Sequence, residues 1–350
     1  MNATLLGIAI LFGETLEGKD FRKGAYAGAR VAGGVFSRSQ LNEADLRGAD
    51  ARECVFDRCD LRGVLFGGAN LRRTVFNQCE IDHADFRDAN LQGAVFSECR
   101  ATHAQLSGAA LAMATFTRCT LDHAGMAGAG LQSSSFSSCS LVDVNADDTH
   151  GEHAAMIECD ASRLTWERAT LRRVTFHKTG LERKSFRGLA LEACQFNEAR
   201  LSGADFREVA LAQCNFMRAQ LDDADFTRAR APQAIFCGAS GSGVLFAGAH
   251  LSQALFTGAT LPGARFDAAN LHQCHFADAQ LQRASLRDAD LSHADFSGAD
   301  LCGVDARGAT LVRAMLHGAR TDDAQLPDRA RAIEIDEDRA RADAWRPVAA

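Results

Sequence analysis

A five-residue unit repeats along nearly the whole chain, and its third position is almost always a large apolar residue. Of the 62 such positions from Phe21 to Leu326, 26 are Leu and 21 are Phe. Of the 61 positions that lie two residues earlier in a unit, from Gly24 to Ala324, 35 are Ala and 10 are Cys. We call the large apolar position the centre and the small one the minus-two position. No insertion interrupts this register, so the rest of the chain is interpreted against it.

This spacing fits neither an ordinary helix nor a straight strand. A helix turns about 100° per residue, so successive centres would lie about 140° apart and would share no face. In a straight strand, an odd step places successive centres on opposite faces. The centres can share one core only if the chain bends after every unit. A regular quarter-turn at each bend predicts a square coil of about twenty residues, stacked as a solenoid.

Two residue types recur at the spacing that this coil predicts. The Cys series is Cys59, Cys79, Cys99, Cys119, Cys139 and Cys159, and the Phe series is Phe56, Phe76, Phe96, Phe116 and Phe136. Because each member follows the last by one coil, we expect ladders of like side chains stacked through the core.

The unit resembles the motif of the pentapeptide-repeat family, A(D/N)LXX with Leu or Phe at the centre, as in Ala84-Asp85-Phe86-Arg87-Asp88. The resemblance covers residues 19–326. It implies an all-β fold, a right-handed quadrilateral parallel β-helix, which here would have about 15 coils. We expect residues 1–18 to form an N-terminal cap segment and residues 327–350 a charged C-terminal tail with a short helical cap.

The two ends each admit a second interpretation. The apolar stretch Thr4–Phe12 is too short to span a bilayer, which takes about 20 apolar residues, and it is predicted to be a strand or turn that covers the first coil. The alternative is a docking segment for a partner or a membrane surface. The tail Asp328–Trp345 is expected to be a charged helix that caps the last coil. The alternative, implied by the resemblance, is a homodimer formed through an end cap.

The pattern leaves little scope for catalysis. A core column of Leu, Phe, Ala and Cys has no room for a cofactor, and the chain carries no nucleophile elbow, phosphate loop or zinc signature. The net charge of −7 disfavours direct nucleic-acid binding through phosphates. We therefore predict a protein that is not an enzyme, binds no cofactor and recognises protein partners through its surface.

Cysteine and histidine positions raise the question of metal binding. Ten of the twelve Cys occupy minus-two positions, where they resemble Ala as small buried residues, and we interpret them as reduced thiols of a bacterial cytoplasmic protein. A thiolate metal ladder is the alternative. His83, His103 and His123 share one outward position on successive coils and could hold a metal or respond to pH, or simply face solvent. The segment Asp147–His153 fits no standard metal site.

The middle of the chain loosens the pattern without losing the register. Gly151 and Trp166 occupy centres, while Leu164, Lys184 and Leu189 occupy minus-two positions. A Gly centre underfills the core and a Lys at a small inward site cannot be buried unpaired, so we expect the coils from Val142 to Leu189 to bulge, kink or loosen.

The same region is polarised in charge. Residues 141–162 carry six acids and no base, and residues 163–187 carry eight bases against two acids. These fourteen residues, which we call the charged belt, are Asp143, Asp147, Asp148, Glu152, Glu158, Asp160, Arg163, Arg168, Arg172, Arg173, Lys178, Arg183, Lys184 and Arg187. A departure from a regular pattern is typical of a functional surface, and we interpret the belt as a partner-binding site. Simple decay of the repeats is the alternative.

The resemblance implies two kinds of partner. Long family members rich in Ala, Leu, Phe and Cys are similar to proteins associated with type VI secretion, which implies a scaffold or adaptor. The alternative that the resemblance implies is similarity to the quinolone-resistance members, which mimic DNA and bind DNA gyrase. Mimicry requires a continuous acidic surface, whereas here the basic band interrupts a mild net charge, so the adaptor is the preferred hypothesis.

Overall fold

The computed structural model describes residues 2–345, which form two compact units, Met1–Leu181 (unit 1) and Glu182–Ala350 (unit 2). Unit 1 begins with helix α1, Ala3–Leu11, and continues as a nine-stranded parallel sheet whose strand order follows the chain. Its strands are β1 Thr15–Glu17, β2 Val35–Ser37, β3 Val55–Asp57, β4 Val75–Asn77, β5 Val95–Ser97, β6 Thr115–Thr117, β7 Ser135–Ser137, β8 Ala155–Ile157 and β9 Thr175–His177. Each strand begins 20 residues after the previous one, in register, so that Phe36 pairs with Phe56.

The other faces of unit 1 are made of single parallel bridges with the same period, for example Asp45 with Leu65. Unit 2 is built from such bridges throughout, from Ser185 with Asp205 to Asp305 with Gln325. Unit 1 has eight steps of 20 residues from Thr15 to Thr175, and unit 2 has seven from Ser185 to Gln325. The predicted parallel β-solenoid is confirmed.

Most corners are four-residue turns that close with a backbone hydrogen bond. At a typical corner, the N–H of Ala44 donates to the carbonyl of Leu41 at 2.9 Å, and Glu43 has a φ of +60°. A positive φ at the third turn residue favours Gly, because Gly has no Cβ to clash. This backbone conformation explains why the second residue after a centre is often Gly, as at Gly258 and Gly308.

The extended face of unit 1 has a sequence signal that the five-residue pattern hid. The residue before the centre is Val in β2 to β5 and Thr in β6 and β9, whereas it is more often polar on the other faces. Side chains branched at Cβ fit a pleated, half-buried surface, so this face forms strands.

Minus-two residues on many coils carry a hydrogen-bond donor rather than a methyl group. The Cys79 thiol donates to the carbonyl of Phe56 at 3.2 Å, and the Thr179 hydroxyl donates to that of Met156 at 2.8 Å. Each donor lies 23 residues after its acceptor, one coil further on. Cys at this position therefore does more than fill the space of Ala, because its thiol also donates a hydrogen bond to a buried carbonyl, although thiols are weak donors.

Phenylalanine rings stack along the core as predicted. The rings of Phe76 and Phe96 lie 4.6 Å apart and 9° from parallel. Rings from adjacent faces meet edge to face, as Phe66 and Phe76 do at 6.2 Å and 74°. Both arrangements are favourable for aromatic rings, so Phe rings stack along each face of the coil and pack edge to face against those of the adjacent face.

The structure corrects the predicted N-terminal segment, which is helix α1 and not a strand or turn. The Asn2 side chain accepts a hydrogen bond from the Leu5 N–H at 2.9 Å, which caps the helix, and Leu6 and Ala9 are buried. Alternation of apolar and polar residues is absent from this stretch, and without it a short apolar run does not distinguish strand from helix.

The expected loosening of the middle is also wrong for the coils of unit 1. Strand β8 pairs in register with both β7 and β9. A Cβ added to Gly151 would lie 3.5 Å from Leu171 Cδ2, so neighbouring side chains already occupy the space at that centre. Side chains next to Gly151 thus fill the space that a larger centre would occupy, and the backbone hydrogen bonds between coils keep their register.

In unit 2 the tail is only partly helical. A 3₁₀-helix covers Arg329–Arg331, Ile333 forms a parallel bridge with Met315, and helix α2 covers Glu337–Ala344. The Asp328 carboxylate accepts the Leu311 N–H at 2.9 Å, so the tail satisfies backbone groups of the last coil. Residues 346–350 of the predicted tail lie outside the described part of the chain.

Two glycines of unit 2 separate the effect of backbone conformation from that of side-chain contact. A Cβ at Gly258 would meet nothing within 4 Å, whereas at Gly308 it would lie 3.1 Å from Asp288 Cγ and 3.5 Å from the Asp288 nitrogen. We expect Gly258→Ala to cost about 1 kcal/mol of folding free energy through positive φ alone, and Gly308→Ala about 2 kcal/mol. The measurement is the thermal unfolding midpoint by circular dichroism, and equal midpoints for the two variants would contradict this account.

Candidate interaction surface

The acidic and basic residues of the charged belt in unit 1 lie one coil apart and form ion pairs along the stacking direction. Asp143 and Asp148 approach Arg163 and Arg168 at 2.8 and 2.7 Å. The remaining pairs are Glu152 with Arg173 at 3.5 Å and Glu158 with Lys178 at 3.8 Å. The sequence showed two adjacent bands of opposite charge, and the twenty-residue coil brings them together.

The side chains of these pairs are exposed, except that of Asp143, which is half-buried, so the pairs contribute little to stability and leave most of the charges accessible. The side chains of Arg168 and Asp148 are 66% and 50% exposed. The hydrogen bonds from Arg168 hold the pKa of Asp148 below its usual range, so both groups are charged at neutral pH. An exposed ion pair is typically worth about 0–1 kcal/mol because solvent screens it. A binding partner could therefore replace such a pair at small cost.

Other belt residues have different surroundings. Arg172 is exposed and has no ion-pair partner within residues 2–345. The Asp147 carboxylate accepts the Glu167 N–H at 2.7 Å, and that of Asp160 accepts the Ser162 hydroxyl at 2.8 Å.

Three belt residues belong to unit 2. Arg187 pairs with Glu208 at 3.5 Å, Arg183 is exposed, and Lys184 is half-buried. The structure thus brings together the belt residues of unit 1, while these three are part of a separate compact unit.

A second kind of ion pair, which the sequence analysis missed, lies within single repeats. Arg87 donates from Nε and Nη2 to the two oxygens of Asp85 at 2.9 and 2.7 Å, and its backbone N–H donates at 3.0 Å. The same clamp occurs at Asp20–Arg22, Asp45–Arg47, Asp60–Arg62, Asp205–Arg207 and Asp305–Arg307. Hydrogen bonds from the arginine lower the pKa of Asp20 and of Asp305 to about 2. The signal in the sequence was Asp and Arg on either side of a centre, which is Leu or Phe in five of these six clamps and Ala306 in the sixth.

The three histidines stack as their spacing suggested. His83 and His103 lie 4.9 Å apart with rings 8° from parallel, and His103 and His123 lie 4.9 Å apart at 12°. His123 Nδ1 is 3.6 Å from an oxygen of Asp143. Parallel rings do not converge on a point between them, and no group of three or more His, Cys, Asp or Glu in the described chain is arranged to hold a metal ion.

Family models match the repeats directly. A model described as a pentapeptide repeat region matches residues 49–126, 129–206 and 189–266, which is more than half of the chain. The chain belongs to the pentapeptide repeat family. A second model of that family, covering eight copies of the repeat, matches residues 27–57, 249–288 and 284–320. A comparison with curated proteins gives no match.

Solved structures similar to this pentapeptide repeat protein are distant. A trypsin-treated variant of QnrB1, a plasmid-mediated fluoroquinolone resistance protein, is 22% identical over 51% of this chain and 88% of its own, with a TM-score of 0.45. HetL, involved in heterocyst differentiation regulation in the cyanobacterium Nostoc, is 20% identical over 94% and 98%, with a TM-score of 0.16. Likenesses at these identities and TM-scores say nothing about partners. No helix within residues 2–345 is long and apolar enough to cross a membrane.

In the buried cysteine ladder of this pentapeptide repeat protein, the pKa is raised for Cys79, Cys99, Cys119 and Cys139, whereas a hydrogen bond with the neighbouring thiol lowers the pKa of Cys59 and of Cys159 at the two ends. The neighbouring Cys119 thiol, together with burial, raises the pKa of Cys99 to about 12. Burial raises the pKa of Cys274 to about 12 as well. Thiolates are the reactive and metal-binding form of cysteine, so the thiols with a raised pKa are poor nucleophiles and poor ligands at neutral pH.

We expect two of the twelve cysteines to react rapidly with Ellman's reagent in the folded protein. Ten are buried, and only Cys237 and Cys302 are half-buried. Cys302 should react more slowly than an unperturbed thiol, because its hydrogen bond to Asp300 raises its pKa. The measurement is absorbance against time, and denaturant should release the other ten. A variant with Cys237→Ala and Cys302→Ala should show no rapid phase; a rapid phase in that variant would mean that the ladder is open.

Proposed function

We propose that this pentapeptide repeat protein is a non-enzymatic scaffold or adaptor that binds a protein partner in the bacterial cytoplasm. The observation that carries the proposal is the charged belt in unit 1, where exposed acidic and basic rows lie side by side. The four ion pairs are Asp143 with Arg163, Asp148 with Arg168, Glu152 with Arg173 and Glu158 with Lys178. Their separations are 2.7 to 3.8 Å, so each of these acidic side chains lies beside a basic one of the next coil.

The belt suits recognition better than stabilisation. Each exposed pair contributes about 0–1 kcal/mol to folding, so its replacement by contacts to a partner costs little. A patterned surface of both signs selects partners by complementarity and accelerates their association. Arg172, which has no ion-pair partner in the described chain, offers a charge that is available at once.

The packed core supports a non-enzymatic role. Phe and Leu centres such as Phe76 and Leu91 have no measurable exposure, so apolar side chains fill the core of the coils. The chemistry available is therefore that of surface hydrogen bonds and ion pairs.

DNA mimicry is the less favoured function. The Asp–Arg clamps pair many carboxylates with guanidinium groups on the same repeat, which reduces the negative potential that mimicry of DNA requires. The association with type VI secretion that the sequence resemblance implies is a prediction, and identification of the partner tests it.

The experiment is a crosslinking capture from native bacteria with a charge-swapped belt. The variant Asp143→Arg, Asp148→Arg, Arg163→Asp and Arg168→Asp keeps net charge and both ion pairs but reverses the surface pattern. We expect it to fold with an unchanged unfolding midpoint and to lose the partner at least tenfold, which corresponds to about 1.4 kcal/mol of binding free energy.

The matched control exchanges two stacked pairs outside the belt, Lys23 with Glu43 and Glu53 with Arg73, at 3.4 and 3.5 Å. It should capture the partner as wild type does. Equal capture by all three proteins would remove the belt from the proposal. Secretion-apparatus proteins in the captured set would identify the adaptor role, whereas DNA gyrase subunits would establish mimicry in its place, to be followed by a supercoiling assay.

A further inference from the structure

Helix α2 lies on the coils of unit 2 but is not needed to cover the last of them. The hydrogen bond to Asp328 and the bridge of Ile333 already do so before α2 begins at Glu337. The eight residues of α2 include no large apolar side chain. Those whose exposure is described are exposed, apart from the half-buried Ala340. Burial of apolar surface therefore contributes little to holding α2 in place.

A charged contact joins α2 to the coils. Arg339 donates from Nη2 to one oxygen of Asp295 at 3.0 Å and from Nη1 to the other at 3.4 Å. The Asp295 side chain is only 16% exposed, and the buried Ser297 orients it by donating its backbone N–H at 2.9 Å and its hydroxyl. Burial opposes ionisation, but the hydrogen bonds from Ser297 and Arg339 outweigh it and lower the pKa of Asp295. An oriented, ionised carboxylate of this kind suits the two-pronged guanidinium of arginine better than the ammonium of lysine.

A recess of about 300 Å³ lies between α2 and the coils. Its coil wall includes Asp278, Gly298 and Gly318, and its helix wall includes Arg339 and Ala342. The two glycines have no side chain, and Ala342 supplies only a methyl group. Helix α2 thus leaves room for a larger side chain at the position of Ala342, so it fits this surface incompletely.

We propose that this surface of unit 2 recognises an arginine-bearing helix of another protein, and that α2 occupies the surface until such a helix displaces it. The partner helix carries Arg at the position of Arg339 and a large apolar residue three positions later, at that of Ala342. Residues three apart lie on the same face of a helix, so both reach the coils together. This site is separate from the charged belt and does not depend on it.

The resident helix is suited to displacement. A helix of eight residues is marginal in water without tertiary contacts. The Arg339 side chain is 46% exposed, and an ion pair open to solvent on one side adds little stability. A partner that makes the same contact to Asp295 and also fills the recess gains apolar contacts that α2 lacks.

The first test measures release of α2 by hydrogen exchange and mass spectrometry of residues 334–345 in the full chain. Arg339→Ala should accelerate exchange about tenfold, and Ala342→Leu should slow it, because leucine fills the recess. The matched control is Arg341→Ala, since Arg341 pairs with Glu337 and Asp338 of α2 itself, both at 3.4 Å. It should change the exchange rate far less. Circular dichroism melting verifies that the coils of each variant are folded.

The second test measures recognition by fluorescence anisotropy with a labelled synthetic peptide. The peptide has the sequence of residues 334–345 with Ala342→Leu. The Arg339→Ala chain, whose carboxylate is vacant, should bind it about tenfold more tightly than wild type, where α2 competes. The Arg341→Ala chain should match wild type. A peptide that also carries Arg339→Lys should bind more weakly, because an ammonium does not engage both oxygens of Asp295.

Other outcomes would overturn the proposal. Equal affinity of wild type and Arg339→Ala for the peptide would mean that α2 does not occlude the surface. Binding that persists in an Asp295→Asn chain would place the peptide elsewhere, and absence of binding to the Arg339→Ala chain would remove the recognition site. A wild-type dimer in sedimentation velocity that Arg339→Ala dissociates would assign the surface to α2 of a second copy instead.

Discussion

Inter-coil backbone hydrogen bonding with a period of twenty residues is the constraint on which the rest of each unit depends. Asp45 donates its N–H to Gly24 of the preceding coil at 2.8 Å, and Leu46 donates to Leu65 of the following coil at 2.8 Å. This arrangement satisfies the backbone groups and places every side chain above the one twenty residues earlier. Aromatic, thiol and imidazole ladders all follow from it, because a residue type that recurs at this period must stack on itself.

The sequence predicted the fold class because both constraints, small residues at minus-two and large ones at the centre, are periodic. It could not predict α1, since a nine-residue apolar run has no internal period and its partner is the first coil. The strand face and the hydrogen bonds of Cys79 were missed for a different reason. Both depend on which residue occupies a given position of the repeat: Val rather than Asp before the centre, or Cys rather than Ala at minus-two. A count that treats all residues at a position alike hides these differences.

The candidate surface was half predictable. The belt's opposite charges were visible in the sequence, but pairs such as Asp148 with Arg168 join residues one coil apart and require the register to be known. Clamps such as Asp85 with Arg87 are local and could have been inferred from the motif. Together the two kinds of pair match cations with carboxylates along the coil and between coils, which weakens the potential of each charge at a distance.

Stability and recognition are separated by position in this architecture. Core stacking and the backbone ladder hold the coils, while exposed ion pairs add about 0–1 kcal/mol each, so outward positions are free to change. At the ends the ladder must stop, and the last coil leaves backbone groups and apolar surface that need a cover. In unit 2, Asp328 and Ile333 supply it with hydrogen bonds. In unit 1, α1 buries Leu6 and Ala9 against the first coil yet turns Leu11 and Phe12 outward, so the helix that covers one apolar surface exposes another.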